Sequence, residues 1–305
     1  MSALKRFWDS DLAWSWRHTP TAIFGALVTF VLFVGAFGAP WLAPHNPFDL
    51  AAIDLFDALL PPAWEADGKL TYLLGTDSQG RDLFSSLLYG TRISLLIGFA
   101  SVILAMVIGI LLGLIAGYAG GRVESFIMRV ADVQLSFPAI LIALLIDGVA
   151  RSVVPQHMLE TISFPVLIGA IALAGWPQYA RTVRGSTIVE KNKEYVQAAK
   201  VIGVSRPRIM LTHVLPNVLG PVLVLATVHL ATAIITEATL SFLGVGVPPT
   251  SPSLGTLIRI GNDFLFSGEW WITIFPGLML VLLVLSVNLL GDWLRDALNP
   301  KLNQV

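Results

Sequence analysis

Few residues of this chain have the types and spacing that catalysis or metal binding requires. The sequence contains no cysteine, which excludes thiolate catalysis, disulfides and cysteine-based zinc sites. Its five histidines are scattered, and none belongs to an H-E-x-x-H motif. Gly68 and Lys69 are followed by Leu70, so this glycine–lysine pair is not part of a phosphate-binding G-x-x-x-x-G-K-[ST] loop. We therefore expect no catalytic residue, bound cofactor or metal site in this chain.

Ionisable residues inside apolar stretches are the first candidates for function. Glu237 interrupts one apolar run, and Asp132, Asp147 and His229 lie in or near others. A charge within a bilayer is costly and often marks a transport pathway. Glu237, with Asp132 and His229 behind it, is therefore predicted to line such a pathway. Two plainer interpretations stay open: Glu237 could contact water at the outer interface, and Asp132 could pair with Arg129.

A second candidate is the polar segment 181–216, whose middle favours a short helix. The helix is predicted from about Lys193 to Ile202, because this stretch contains two adjacent alanines. Gly203 then supplies the left-handed residue that ends many helices. Ser205 can cap a second helix with Pro207 in its first turn. This second helix is predicted to continue into the next apolar stretch.

The first of these helices is predicted to be amphipathic. Its two faces carry Val196, Ala199 and Gly203 on one side and Lys193, Gln197 and Lys200 on the other. A helix–glycine–helix unit also occurs in DNA-binding proteins, but membrane spans within roughly ten to fifteen residues would keep either helix out of a major groove. We expect no nucleic-acid partner. Two interpretations remain from the pattern alone: docking into a groove of a cytosolic partner, or resting on lipid headgroups.

The composition of the whole chain indicates that lipid is its solvent. Of 305 residues, 55% are hydrophobic and 13% are charged, with a mean hydropathy of +0.75, whereas soluble domains carry about a quarter charged residues. Stretches near the roughly 20 residues of a membrane span occur at 21–42, 93–118, 130–149, 163–180, 217–244 and 270–291. The third is the weakest because Pro138 lies inside it, so five spans is the chief alternative. The predicted fold class is an all-α polytopic membrane protein with about six transmembrane helices.

The ends of this series need separate arguments. The stretch 21–42 could be a cleaved signal peptide, but about 22 apolar residues exceed the usual 7–15 of such a segment. We therefore predict a retained span. At the other end, Trp270 and Trp271 open the sixth stretch and are predicted to anchor it at the membrane interface.

The positions of Lys and Arg predict the orientation. Fourteen of the 19 basic residues lie in segments that face inside if the N-terminus is inside. The predicted organisation is a cytoplasmic segment 1–20, a first span 21–42, an outer loop 43–92, a five-helix transmembrane domain 93–292 containing the inner loop 181–216, and a cytoplasmic tail 293–305. Both termini are thus predicted to be cytoplasmic.

The inner loop resembles the EAA loop of ABC-transporter permeases. That motif reads E-A-A, three residues, Gly, nine residues and I-x-L-P, and the corresponding positions here are Gln197, Ala198, Ala199, Gly203, His213, Leu215 and Pro216. Gln197 stands where the motif has Glu, and His213 where it has Ile; Glu194, one turn earlier, is a candidate substitute carboxylate. The resemblance implies that the helix docks into a cleft on an ATP-binding subunit and moves as a rigid unit when the ATPase dimer closes.

Three further segments narrow the resemblance to the C-type permeases of dipeptide and oligopeptide importers. They are residues 74–98, 117–132 and 237–258. Leu254 departs from the pattern, which has Trp there. With the EAA-like loop, the four motifs cover nearly all of the chain after about residue 70, in the family's order.

The resemblance implies a type I ABC importer permease fold in the bacterial inner membrane. It also implies a second homologous permease, two ATPase subunits that carry ATP and Mg²⁺, and a periplasmic substrate-binding protein, with the loop 43–92 on the periplasmic side. The implied function is peptide translocation by alternating access. Nickel or another small solute is an alternative within the same family. A self-sufficient channel or secondary transporter is the alternative from another class.

Overall fold

The computed structural model describes residues 15–49 and 53–297. In these ranges the chain is helices and loops, with one isolated β-bridge between Thr76 and Asp82. The helices in chain order are α1 (Pro20–Phe37), α2 (Ala39–Leu42), α3 (Leu83–Ala119), α4 (Gly121–Leu135), α5 (Ala139–Val153), α6 (Gln156–Glu190), α7 (Glu194–Val201), α8 (Arg206–Ile209), α9 (Leu215–Phe242), α10 (Leu254–Asn262) and α11 (Trp271–Ala297). Short 3₁₀ turns lie at Leu55–Asp57 and Leu265–Ser267.

Five helical segments of the described chain are long and apolar enough to cross a membrane. They are Pro20–Phe37, Leu83–Ala119, Thr161–Glu190, Arg206–Phe242 and Trp271–Ala297. Together with the α4–α5 pair the number rises to six, as the composition predicts. Parts of the predicted terminal segments, residues 1–14 and 298–305, lie outside the described residues, as do residues 50–52 of the predicted outer loop.

The predicted span at 130–149 is not one continuous helix. Helices α4 and α5 meet at an angle of 92° across the break at residues 136–138. Pro138 explains why a break occurs here, because a proline disfavours helical backbone at the residue before it. The pair is a broken span or a re-entrant segment, and its two halves pack on α6.

Helix α3 begins at Leu83, before the predicted boundary at residue 93. Its N-cap is Asp82, whose carboxylate accepts a hydrogen bond of 2.8 Å from the backbone N–H of Ser85. Hydropathy detects only the apolar part of a helix. The Asp82 cap and the first helical turns lie before that part, so hydropathy places the start of α3 too late. Part of the predicted outer loop is therefore helix.

Helices α3 and α6 form the most extensive helix pair of the fold. Gly113 and Gly117 of α3 lie against α6, where an added Cβ would come within 2.5 Å of the Ala180 carbonyl oxygen and 2.7 Å of the Thr187 Cβ, respectively. Small residues allow membrane helices to approach this closely. Gly113 and Gly117 therefore allow the close approach of α3 and α6. Gly120, by contrast, ends the helix with a φ of 69°.

The second helix of the inner loop continues into the next span, as predicted. Residues Arg206–Phe242 run without a break through a π-helical turn at Met210–Val214. In this turn the N–H of Leu215 donates to the carbonyl of Met210, five residues back. Pro216 follows directly and has no N–H to donate, so the hydrogen-bond ladder is already irregular at this point. Helix α9 then ends at Phe242, with Gly244 left-handed at a φ of 82°.

Candidate partner-docking loop and intramembrane polar groups

Helix α7 ends in the backbone geometry that the glycine predicts. Gly203 is left-handed with a φ of 82°. Its N–H donates to the carbonyl of Lys200 at 3.1 Å, and the N–H of Val204 donates to that of Ala199 at 3.0 Å. These two bonds form a Schellman motif, which satisfies carbonyls that the helix end would otherwise leave open. The turn therefore fixes the direction in which the chain leaves α7 towards α8.

Only one face of α7 packs against the rest of the protein. Val196 and Ala199 are buried, with 0% and 4% of their surface exposed, in a cluster with residues of α3, α6 and α9. Val201 and Ile202 are 87% and 77% exposed. Exposed apolar residues at a helix end mark a contact surface when they are contiguous. Ala198, Val201 and Ile202 form such a surface, and we call it the α7 docking surface.

Four polar groups connect α7 to the helices on either side. The hydroxyl of Tyr195 donates to the Glu190 carboxylate at the end of α6. It also accepts a hydrogen bond of 3.0 Å from the Asn217 amide at the start of α9, and the same amide donates to the His213 carbonyl at 2.8 Å. Burial, together with the hydrogen bond to Glu190, raises the pKa of Tyr195 to about 12. Movement of α7 would therefore be transmitted to both α6 and α9.

The two departures from the EAA pattern have different structural contexts. The Gln197 amide donates a hydrogen bond of 2.9 Å to the backbone carbonyl of Lys191, which an ionised glutamate could not do because it only accepts. The His213 ring lies within 2.8 Å of the Thr212 hydroxyl. It is the backbone carbonyl of His213, not its ring, that joins the cluster around Tyr195.

The remaining residues of the predicted motif lie around the same loop. Ala198 is exposed on α7, Leu215 is half-buried and Pro216 is exposed in the first turn of α9. Glu194 is exposed in the first turn of α7, without a hydrogen-bond or ion-pair partner among the described residues. An acidic group there suits the helix N-terminus. Its role as a substitute for the motif's glutamate stays a prediction.

Glu237 lies between helices and not on an open surface in this conformation. Its side chain is fully buried and accepts hydrogen bonds of 2.7 Å from the hydroxyls of Ser94 on α3 and Ser241 on α9. The Ser94 hydroxyl accepts the N–H of Leu254 and the Ser241 hydroxyl that of Val247, both at 3.3 Å. The carboxylate thus organises the junction of α3, α9 and the loop before α10. Contact with a pathway stays a prediction.

The other predicted pathway residues also have partners within the chain. Asp132 pairs with Arg181 of α6 and not with Arg129. His229 lies with its Nδ1 3.0 Å from the Tyr179 hydroxyl, packed over Gly175, where a Cβ would meet the ring at 2.2 Å. The partners of Asp132, His229 and Glu237 are all different, so the structure does not gather these three residues into one site. Asp147, similarly, pairs with Arg151 on its own helix.

Sequence reasoning missed one buried ion pair. Arg81 and Asp77, 3% and 1% exposed, form a salt bridge of 2.7 Å, and Arg81 also donates to the Pro249 carbonyl at 3.2 Å. Trp271, predicted as an interface anchor, is instead buried and donates to the Thr76 carbonyl at 3.1 Å. The sequence does show two opposite charges four residues apart, which could have indicated the ion pair. It does not show that Pro249 and Trp271 lie next to them, because these residues are far away in the chain.

The sequence of this helical bundle matches a known family of transport proteins. Residues 109–304 match the family described as "Binding-protein-dependent transport system inner membrane component". The chain belongs to this family. Residues 5–62 additionally match "N-terminal TM domain of oligopeptide transport permease C". The α7 docking surface and Glu237 lie within the first of these matches, whereas Ser94, a partner of Glu237, precedes it.

Relatives of the family cover the chain nearly end to end. It is 40% identical over 99% of its length, and 93% of the relative's, to "Di/tripeptide transport system permease protein DppC" of Pseudomonas aeruginosa. It is 41% identical over its whole length, and 95% of the relative's, to "Dipeptide transport system permease protein DppC" of Escherichia coli strain K12. The corresponding protein of Haemophilus influenzae is 38% identical over 99% of this chain and 96% of its own.

A solved structure of a transporter in this fold class is also similar. A chain of the methionine ABC transporter MetNI, described in inward-facing conformations, superposes with a TM-score of 0.55 at 20% identity, over 70% of this chain and 96% of that one. At this identity the likeness concerns the fold alone. The protein is therefore an all-α, multi-pass permease with the type I ABC importer fold, and it belongs to a class of transport subunits and not of enzymes.

Proposed function

We propose that this protein is one permease subunit of an ATP-driven importer that carries di- or oligopeptides across the bacterial inner membrane. The observation that carries the proposal is the identity of about 40%, over essentially the whole chain, to permeases named for di- and tripeptide transport. Translocation proceeds by alternating access at the interface with a second, homologous permease. A periplasmic binding protein delivers the peptide from outside.

The energy for transport comes from partner subunits that bind ATP and Mg²⁺. The α7 docking surface supports this part of the proposal, because an exposed apolar helix end tethered at both sides can lie in a groove of a cytosolic partner. The polar contacts around Tyr195 support transmission, since they join α7 to α6 and α9. Closure of the ATPase pair would move α7, and the attached spans would follow.

The proposed orientation puts the α7 loop and both termini in the cytoplasm. The excess of Lys and Arg in the segments on the side of α7 supports it. Loop 43–82 and the turn before α10 then face the periplasm. The binding protein would approach this side.

The docking proposal is tested with a charge placed on the α7 docking surface. We expect Ile202→Asp to abolish co-purification with the ATPase subunits and ATP-dependent dipeptide uptake in proteoliposomes, because an aspartate there would be desolvated in an apolar groove. Leu70→Asp is the matched control: this residue is 89% exposed but lies in the loop on the other side, so ATPase association should be retained.

Two outcomes would contradict the proposal. Full association and uptake by the Ile202→Asp protein would exclude docking through this surface. Dipeptide flux through the chain alone, without ATPase subunits, would indicate a channel or secondary transporter.

A further inference from the structure

A cavity of about 720 Å³ lies beside α7. It is formed by the end of α3, the residues after α6 and the segment from α7 to the π turn. Three cationic residues line it, Lys191, Lys200 and Arg206, together with the polar side chains of Tyr118 and Asn192. Among the described residues that line it there is no carboxylate.

The charges of these three cations are largely available to a ligand. The Lys191 ammonium donates one hydrogen bond, of 2.6 Å, to the Gly117 carbonyl and has three donors. The Lys200 ammonium lies 5.7 Å from the centre of the Tyr118 ring, a distance at which the interaction is weak when exposed. The Arg206 guanidinium has no hydrogen-bond or ion-pair partner among the described residues.

Carboxylates in the same region are already occupied. Glu124 forms an ion pair with Arg184, and Glu190 forms one with Lys193 at 3.0 Å. The three cations of the cavity form no ion pair with the part of the chain that the structure describes. An anion with several acceptor oxygens would satisfy them.

The rest of the cavity wall is apolar and reaches the outside of the bundle. Ile115, on the membrane-spanning helix α3, is 42% exposed and lines the cavity with Ile209 and Met210. A ligand that enters from this side would contact both hydrocarbon and cations. A free phosphate ion would contact only the cations, whereas an anionic phospholipid would contact the cations with its headgroup and the apolar wall with its acyl chains.

We propose that this cavity binds the phosphate-bearing headgroup of an anionic phospholipid. Basic pockets between membrane helices on the cytoplasmic side recognise such headgroups. Lys191 and Arg206 flank α7 on its two sides in the chain, and Lys200 lies on it, so a headgroup bridging them would hold α7 against the end of α3. The proposal concerns binding to this chain and does not depend on the transported substrate.

The test measures lipid retention by the purified full-length protein with native mass spectrometry. Dioleoyl phosphatidylglycerol and dioleoyl phosphatidylcholine are titrated in parallel. We expect a clear preference for phosphatidylglycerol, reduced about fivefold by Arg206→Gln and about fivefold by Lys200→Gln, the effect of one charge near a membrane surface. Arg208→Gln is the matched control, because Arg208 is exposed on the same helix, α8, but does not line the cavity.

Three results would overturn the proposal. The first is equal retention of the two lipids by the unchanged protein. The second is an equal loss with Arg208→Gln and Arg206→Gln, which would indicate unspecific surface charge. The third is displacement of the lipid by inorganic phosphate at equal concentration, which would assign the site to a free anion. Melting temperatures of all variants, expected to be unchanged without lipid, establish that each is folded.

Discussion

The Glu237 carboxylate accepts hydrogen bonds from serine hydroxyls on two helices, and each hydroxyl also receives a backbone N–H. The group therefore acts as an acceptor at the centre of a four-bond network. An unpaired polar group in such a place costs about 1–3 kcal/mol. Stability should thus depend on an acceptor at position 237 more than on the negative charge.

We expect Glu237→Leu to lower the melting temperature of the purified protein clearly below that of Glu237→Gln. Leucine leaves the Ser94 and Ser241 hydroxyls without their acceptor, whereas glutamine keeps one carbonyl oxygen. Thr236→Val is the control, since Thr236 is half-buried on the same helix and its hydroxyl donates only to the Thr232 carbonyl one turn earlier. Equal melting temperatures for the leucine and glutamine proteins would contradict the structural role and would favour a contact with substrate.

Tyr195 predicts a pH dependence at the α7 loop. Its pKa is raised from 10.0 to about 12 in the folded protein, so the protonated hydroxyl is favoured by folding. Its stabilising effect is complete below about pH 10 and is lost as the pH rises through about 12. We expect the tyrosinate absorbance of the native protein to show a step near pH 12 that is missing in Tyr195→Phe. A step near pH 10 instead, with the hydroxyl free, would exclude the bond to Glu190.

At the scale of single elements, the turn after α7 depends on one backbone conformation. Gly203 has a φ of 82°, and nothing lies within 4 Å of an added Cβ. A substitution there therefore tests conformation without steric interference. The left-handed backbone costs other residues about 1–2 kcal/mol, but Asn adopts it more readily.

Gly203→Ala should therefore weaken the turn, and Gly203→Asn should preserve most of it. We expect faster amide hydrogen exchange at Val204 in the alanine protein, by about tenfold for a loss of about 1.4 kcal/mol, and a smaller change in the asparagine protein. Exchange rates that are equal in all three proteins would mean that the Schellman bonds do not fix the turn.

Elements differ in how well the sequence predicts them. Helix α7 and its end follow from neighbouring residues: the alanines favour helix, and Gly203 terminates it. The break at Pro138 is also local, but the 92° bend depends on how both halves pack on α6. The start of α3 was missed because hydropathy does not detect the Asp82 cap. Local signals therefore predict which elements exist and less well how they meet.

The candidate site shows the same limit. The burial of Val196 and Ala199 follows helical periodicity, but Gly203, predicted on the same face, is exposed because the chain has already turned out of the helix there. The partners of Glu237 and Asp132 do not follow from periodicity, because Ser94 and Arg181 lie on distant helices. Charge and apolar context identified these residues as important but could not separate a pathway residue from a packed junction, which only the fold distinguishes.

At the scale of the whole molecule, the segment that contains the Asp77–Arg81 pair is bonded to segments far away in the chain. Arg81 contacts the Pro249 carbonyl, and the neighbouring Thr76 carbonyl accepts the Trp271 N–H. The loop before α3 is therefore held to the turn before α10 and to the start of α11. Breaking a buried ion pair by removing one partner costs about 3–5 kcal/mol.

We expect Arg81→Met to lower the melting temperature strongly, because it leaves Asp77 charged and buried. The double change Arg81→Met with Asp77→Asn should recover part of the loss, because asparagine is uncharged and still accepts the backbone N–H groups of Gln79 and Arg81. Lys69→Gln is the control in the same loop: Lys69 pairs with Asp57 at the surface, where it is 52% exposed, and such pairs contribute at most about 1 kcal/mol. A double variant no more stable than Arg81→Met would show that the pair itself is not the stabilising feature.

The π turn at Met210–Val214 also sets a rotational phase between the α7 loop and α9. A wider turn accommodates one more residue than an α-helical turn, and each residue of an α-helix corresponds to a rotation of about 100° and a rise of about 1.5 Å. Deleting one residue here would let the segment become regular α-helix. Because the wide turn absorbs the extra residue, such a deletion would keep the Asn217 amide on the face towards the Tyr195 hydroxyl. Closing the turn to α-helix without a deletion would instead rotate α9 by about 100° relative to the α7 loop and separate the two groups. The alignment of the loop with α9 thus depends on the extra residue and the wide turn together.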